Sequence, residues 1–323
     1  MKGTFLEKII ADSPAMAGRI LGTALLLLLP LPALSVEELS VRGDFVVAPA
    51  KIELSLFPGE TRTIQLTVVN RSGAPKRFQV AAEDFTAARE PGQVLVLLGD
   101  ELSTRTLRNF LSFPEREFAL EHGKRVTLPV VISLPPQIEP GGHFASVLVS
   151  MEPGDGASLG GKVSSGARLV ARIGTLLFVT VPGDVKEEGK LKDFEVAGGK
   201  KFFFSPRIPF RMLSENTGSV HLNPYGGIKV KNLFGKTVGV AVVDPWFVLP
   251  DSLRTREITL SGNMVAGLYS AVLELNRGYG NIVDEKEVLF VVVRPEALIA
   301  FAALVILALV LLRKAFRRNR FHL

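Results

Sequence analysis

Short runs of alternating residues, each closed by Pro, Gly or Asn, are the feature that most limits how this chain can fold. A repeat of two puts every second side chain on one face, which a strand satisfies and a helix does not. TRTIQLTVVNRSG aligns Ile64, Leu66 and Val68 and turns at Asn70 to Gly73. FVVAPAKIELSLFPG aligns Ile52, Leu54 and Leu56 before Pro58-Gly59, and KRVTLPVVISLPP aligns Val126, Leu128, Val130 and Ile132. With KRFQVAAEDF, HFASVLVSME and ARLVARIGTLLFVTVPG, about seven strands are expected between Phe45 and Gly183, interrupted by helical character only around Ser103 to Leu111. Strands this short, spaced by turn signals, predict a β-sandwich.

The pattern restarts after the charged segment Val185 to Lys192. LKDFEV, KKFFFSPRIPFRMLS, GGIKVKNLFG, TVGVAVVDP, RTREITLSG, GLYSAVLEL and KEVLFVVV form a second set. Tyr269, opening one of these runs after Gly267-Leu268, resembles the tyrosine that anchors a corner in Ig-like sandwiches. The predicted architecture is therefore all-β, two tandem Ig-like β-sandwiches at residues 40–184 and 185–294. A C-terminal transmembrane helix at 295–313 and a basic tail at 314–323 complete it, with a signal peptide at 1–35.

The ends carry the membrane signals. Ile20 to Leu34 is an apolar run after Arg19, and Ala33-Leu34-Ser35 offers the small residues that signal peptidase reads. The segment is either cleaved near Ser35 or kept as an anchor, and both readings export the body. Ala297 to Leu312 is uncharged and covers roughly 24 Å at 1.5 Å per residue. Ala315, Phe316 and snorkelling basic side chains would extend it toward the ~30 Å hydrocarbon core. Basic residues follow at once, so the expectation is a single-pass plasma-membrane protein with an extracellular ectodomain and a short cytoplasmic C-terminus. Pro295 suits the first helical turn, where its missing N–H costs nothing.

The formal net charge of +6 invites a nucleic-acid reading. Yet Lys2, Lys8 and Arg19 lie in the first 35 residues, with Glu7 and Asp12, and Arg313, Lys314, Arg317, Arg318 and Arg320 lie in the tail. Removing these from the 38 basic and 32 acidic residues leaves 30 of each. The neutral body has no basic footprint, and no nucleic-acid partner is expected. Cysteine is absent, so an exported chain of this size rests on its core alone, which fits the surface of bacteria with a single membrane.

Chemistry-bearing constellations are scarce. GASLGGKV at 156–163 spaces Gly156, Gly161 and Lys162 like a phosphate loop, but Val163 stands where magnesium needs Ser or Thr, and the flanks are strands. His122, His143, His221 and His322 are scattered, so no metal site and no cofactor is expected. Glu83 and Asp84 are adjacent on a strand and point to opposite faces. No catalytic residue is assigned, and the chain is read as non-enzymatic. Three residues remain as binding candidates. His143 follows Gly141-Gly142 at a tight strand entry. His221 and Tyr225 lie in NTGSVHLNPYGG, where Asn216 and Asn70 begin equivalent turns with Gly218 and Gly73 as their permissive positions. Asn223 to Gly227 is read as a second bend, and His221 is left facing either solvent or the sheet.

The export signal, PGETRTIQLTVVNRSG, PPQIEPGGHFASVLVS, a second Ig-like domain and a terminal helix with a basic tail together resemble the WxL-interacting surface proteins of Gram-positive bacteria. That resemblance implies a first domain binding peptidoglycan and a second binding a protein partner. The same strand-turn pattern is similar to the first domain of pilus chaperones, which implies binding through exposed strand edges. No LPxTG sorting signal is present. The functional expectation is a membrane-anchored surface protein that binds cell-wall polymer or a surface-protein partner. The alternative is a subunit or assembly chaperone of a surface appendage.

Overall fold

The computed structural model describes residues 45–88, 93–152, 170–262 and 264–319, all within one compact unit, Gly43–Leu323. The signal segment at 1–35, the phosphate-loop-like stretch at 156–163 and the end of the basic tail at 320–323 lie outside the described residues.

The chain is mostly strand, as its alternation predicts. The first part contains β1 (Phe45–Ala48), β2 (Lys51–Ser55), β3 (Thr61–Asn70), β4 (Lys76–Ala87), β5 (Leu95–Leu97), β6 (Leu111–Ser112), β7 (Glu117–Leu120), β8 (Arg125–Ser133), β9 (Gly141–Met151) and β10 (Ala171–Val181). One sheet has the order β1-β3-β8-β6; the other runs β2-β10-β9-β4-β5, with β7 also on β4. Leu66 and Val68 of β3, Leu128, Val130 and Ile132 of β8, Val147 and Val149 of β9 and Val179 of β10 share one buried core between them. The peptide between Ala48 and Pro49 is cis, and there the chain passes from the first sheet to the second.

The second part contains β11 (Gly189–Val196), β12 (Phe202–Phe203), β13 (Arg207–Asn216), β14 (Tyr225–Asn232), β15 (Thr237–Val243), β16 (Ser252–Ser261), β17 (Gly267–Asn276) and β18 (Val283–Val292). β11-β13-β16 faces β12-β18-β17-β14-β15 across a core of Ile208, Phe210 and Met212 against Ile228, Leu273 and Phe290. The Tyr269 hydroxyl donates to the Val265 carbonyl at 2.8 Å. It is the corner that the sequence suggested, a hydroxyl tied back to backbone four residues upstream.

Several boundaries differ from expectation. The segment read as a charged connector already contains the start of β11 at Gly189. The helical character near Ser103 to Leu111 is a single 3-10 turn, Arg108–Phe110. Tyr225 to Gly227 is no bend but the start of β14. Gly226 is required there because β14 and β17 approach so closely that a Cβ at this position would strike the Glu274 carbonyl.

The C-terminal element is one helix, α1 (Pro295–Asn319). Among the described residues, however, no helix is long and apolar enough to cross a membrane. This overturns the expectation of a single-pass plasma-membrane protein held by its C-terminal helix. Length is the physical reason. The uncharged stretch between Glu296 and Arg313 covers roughly 24 Å where a crossing helix needs ~30 Å, and the turns beyond it carry Arg313, Lys314, Arg317 and Arg318.

Candidate functional site at the junction of the sandwiches

The turn chemistry repeated in the sequence also builds the region where the two sandwiches meet. Asn70 is fully buried at the end of β3. Its Nδ2 donates to the Ala74 and Leu120 carbonyls at 2.9 and 2.7 Å, and its Oδ1 accepts from the Ser72 N–H at 2.9 Å. Asn216 ends β13 in the same way, with Nδ2 donating to the Val220 and Val248 carbonyls, both at 2.8 Å, and Oδ1 accepting from the Gly218 N–H at 2.9 Å. The two turns are equivalent, as predicted, but their glycines serve different ends. Gly73 has φ of 84°, whereas at Gly218 a Cβ would strike the Lys186 carbonyl.

The second of these turns holds Ser219 against the first sandwich. The Ser219 carbonyl accepts from the Gly142 N–H at 2.9 Å and from Arg105 Nη1 at 2.8 Å. Gly141, with φ of 133°, passes so close that a Cβ would lie 3.2 Å from the same oxygen. The Gly-Gly strand entry noted in the sequence is therefore a contact point between sandwiches. Beside it, Phe85, Phe144 and Phe178 of the first sandwich form a small core with Leu249 of the second. Phe178 also packs on Phe247, centroids 4.9 Å apart.

His221 faces this aromatic cluster rather than solvent. Its ring lies 4.7 Å from that of Phe178 and 6.0 Å from that of Phe144. Nε2 points at Glu53 Oε1, 3.4 Å away. Burial pushes the imidazole below its usual pKa, and the Glu53 charge only partly offsets this. Burial thus works against a charged His221 despite the carboxylate beside it. Burial alone would raise the Glu53 carboxyl, but hydrogen bonds from Lys51 at 2.7 Å and Asn223 at 3.1 Å, with the adjacent charges, hold it below the ordinary range.

Next to the cluster lies a cleft of about 480 Å³ lined by Phe85, Ser103, Thr104, Arg105, Leu249 and Asp251. Arg105 Nη2 and Asp251 Oδ2, one from each sandwich, face each other at 3.4 Å. Buried Asp84 supports the near wall, accepting from the N–H groups of Ser103, Leu107 and Arg108 at 3.2, 3.0 and 3.0 Å. Glu83 on the opposite face pairs with Arg172, so the two acids diverge as the strand geometry requires.

Of the three candidates, His143 is buried beside the junction, its Nδ1 3.1 Å from the Thr106 carbonyl and its Nε2 3.0 Å from that of Glu139. Its ring is committed to local backbone. Tyr225 stands apart, 45% exposed and paired with Asn276 across the sheet. The structure brings His221 and the strand entry before His143 to one junction and leaves Tyr225 out. Glu53, Arg105 and Phe178 were missed because each sits in an ordinary strand or loop run with nothing local to mark it. Among the described residues, no group of three or more His, Asp or Glu side chains is placed to hold a metal ion.

No protein-family model matches the chain, and no curated protein does either. Solved structures with a similar fold include the Escherichia coli chaperone DraB, 14% identical, covering 77% of this chain and 96% of its own, with a TM-score of 0.35. The class 5 fimbriae chaperone CfaA is 12% identical, with 77% and 99% covered and a TM-score of 0.37. The Salmonella enterica SafA pilin in complex with the SafB chaperone matches at 12% identity, 77% and 96% coverage and a TM-score of 0.33. At such scores the likeness carries no argument about what this chain does.

Proposed function

We propose that this chain is a non-enzymatic binding protein that accepts an extended segment of a protein partner on a free sheet edge, in the manner of an assembly chaperone or subunit of a surface appendage. It is read as two tandem Ig-like domains, residues 40–184 and 185–294. The observation that carries the proposal is the outer edge of β10. β2 pairs with it only over Leu176–Thr180, and Thr175 Oγ1 donates to the Pro49 carbonyl at 2.7 Å, so among the described residues Ala171 to Gly174 have a strand partner on the β9 side alone. The Leu176 N–H points outward, to the Ala50 carbonyl. Backbone groups alternate along a strand, so those of Arg172 and Gly174 also point outward and can form a ladder with an added strand.

Arg172 tests this. Replacing it with Pro removes one outward N–H and leaves the β9 ladder intact, while Arg172→Ala loses only the exposed pair with Glu83. A photo-crosslinker at Val170, in cells that produce the protein, is expected to yield a protein adduct that R172A keeps and R172P loses. Equal adducts from both variants would sink the proposal.

A second reading, a cell-wall polymer binder of the WxL-interacting type, draws on the polar cleft with Ser103, Thr104, Arg105 and Asp251. It ranks lower because Phe85 and Phe144, the aromatic rings that could stack on a sugar, are 1% and 2% exposed. Retention of the chain on purified cell walls, lost in R105A but kept in R172P, would favour it instead.

A further inference from the structure

The end of the second sandwich farthest from the junction gathers exposed apolar and basic side chains from three separate segments. The register puts them together. Phe202 pairs with Val291 and Leu268 pairs with the same residue from the other side; Asn232, just before the β14–β15 turn, pairs with Tyr269, which pairs with Phe290. At this end Phe202 is 63% exposed, Phe204 68%, Leu233 73%, Phe234 90% and Val265 66%. Exposed Lys200, Lys201, Arg207 and Lys236 stand among them. Arg294 is fixed here too, its Nε donating to the Met264 carbonyl at 3.0 Å. The segments 197–207, 231–237 and 262–268 contain neither Asp nor Glu.

The other end of the same sheet is different. There Gly278 packs against Asn223 at the junction, and β18 begins with Val283-Asp284-Glu285. Asp and Glu are thus absent from the segments at the basic end, whereas at the other end the exposed Ile282 and Val283, 41% and 56%, stand beside Asp284 and Glu285. Single exposed apolar residues are ordinary, but five large ones rimmed by cations on one face mark a contact surface.

We infer that this end docks on the surface of an anionic lipid bilayer, Phe202, Phe204, Leu233 and Phe234 entering the headgroup–acyl boundary and the lysines meeting lipid phosphates. Charge complementarity selects this occupant: a protein partner would need an acidic surface around an apolar centre, whereas an anionic bilayer presents both layers at the depths the side chains reach. The contact is made by loops and a strand edge, and no crossing helix takes part.

The test uses the full chain with extruded vesicles of phosphatidylcholine, alone or with phosphatidylglycerol. In a Phe234→Trp variant, emission is expected to shift to the blue and to be quenched by brominated lipids when phosphatidylglycerol is present. A Val283→Trp variant, exposed at the acidic end, should show neither; buried Trp246 is a background common to both. The F204S/F234S double variant should lose roughly tenfold in binding to anionic vesicles, as expected for withdrawing two partly inserted rings. K200Q/K201Q should weaken the dependence on phosphatidylglycerol. Equal quenching in the two tryptophan variants, or binding unchanged in both double variants, means that α1 or some other surface makes the contact, and the inference fails. It also fails if the emission of the Phe234→Trp variant shifts with protein concentration without vesicles, because the patch then pairs two copies of the chain.

Discussion

Replacing Asn216 with Ala should unfold the second sandwich at a much lower denaturant concentration. The side chain is fully buried and makes three hydrogen bonds to backbone. The Val248 carbonyl keeps a second donor, the Leu222 N–H at 3.0 Å. The Gly218 N–H and Val220 carbonyl are left facing a cavity. Each orphaned buried group costs about 1–3 kcal/mol, which with the vacated volume gives roughly 3 kcal/mol in all. With a urea slope of about 1.5 kcal/mol per molar, the midpoint falls by about 2 M. Trp246 is the only tryptophan and belongs to the second core, so its fluorescence reports this sandwich alone. Asn216→Asp, which keeps the acceptor but turns an oxygen toward two carbonyls, should do no better than Ala. Asn70→Ala should lower the unfolding transition seen by circular dichroism while leaving the Trp246 midpoint nearly unmoved. A shift below about 0.5 M for N216A would refute the reasoning, since the turn would then be held by its strands and not by the amide.

Three further outcomes are expected. Because burial depresses the His221 pKa, the unfolded chain binds the extra proton first; stability should decline as pH falls from about 6.5 toward the folded value. His221→Gln should flatten that decline in urea titrations at pH 5 to 7.5. Gly226→Ala should prevent β14 from pairing with β17 and abolish the cooperative Trp246 transition, because backbone on the facing strand cannot yield as a side-chain tip can. Leu249→Ala, which removes the second sandwich's buried contribution to the aromatic cluster, should leave both unfolding transitions visible while raising the radius of gyration in solution scattering and exposing the connector at 182–188 to protease.

The sandwiches were legible because a period of two is local, and so were the asparagine turns, since Asn followed within three residues by Gly carries its own geometry. The junction was not. Glu53 and His221 meet from distant parts of the chain, and alternation shows that Val220 and Leu222 share a face opposite His221 without showing what covers that face. β9 was legible as a strand in HFASVLVSME, but not its burial on both faces: Gly141 to Val149 is buried without a break, since the first core covers one side and the aromatic cluster part of the other. Gly226-Gly227 misled because glycine serves a bend and a close backbone approach equally well, and only the position of the Glu274 carbonyl separates the two. The terminal helix was readable as a helix. The role assigned to it needed a length that the uncharged run does not reach.

The two proposed surfaces are related through β17. Its Asn276 end lies on the junction side and its Gly267 end among the exposed phenylalanines, and ten residues at about 3.3 Å each separate the two by roughly 30 Å. The junction is fastened by unlike contacts, the Ser219 carbonyl shared between Gly142 and Arg105 on one side and Phe178 on His221 and Phe247 on the other, so rotation about any one of them breaks the rest. A second sandwich seated on lipid through Phe204 and Phe234 would then hold the first sandwich, with the free edge of β10, a fixed distance from that surface. Leu249→Ala separates the two properties: vesicle binding should persist in that variant, while capture of a partner at Val170 on the same vesicles should fall as the first sandwich loses its fixed orientation. If capture is undiminished, the junction is a passive connection and β10 works without it.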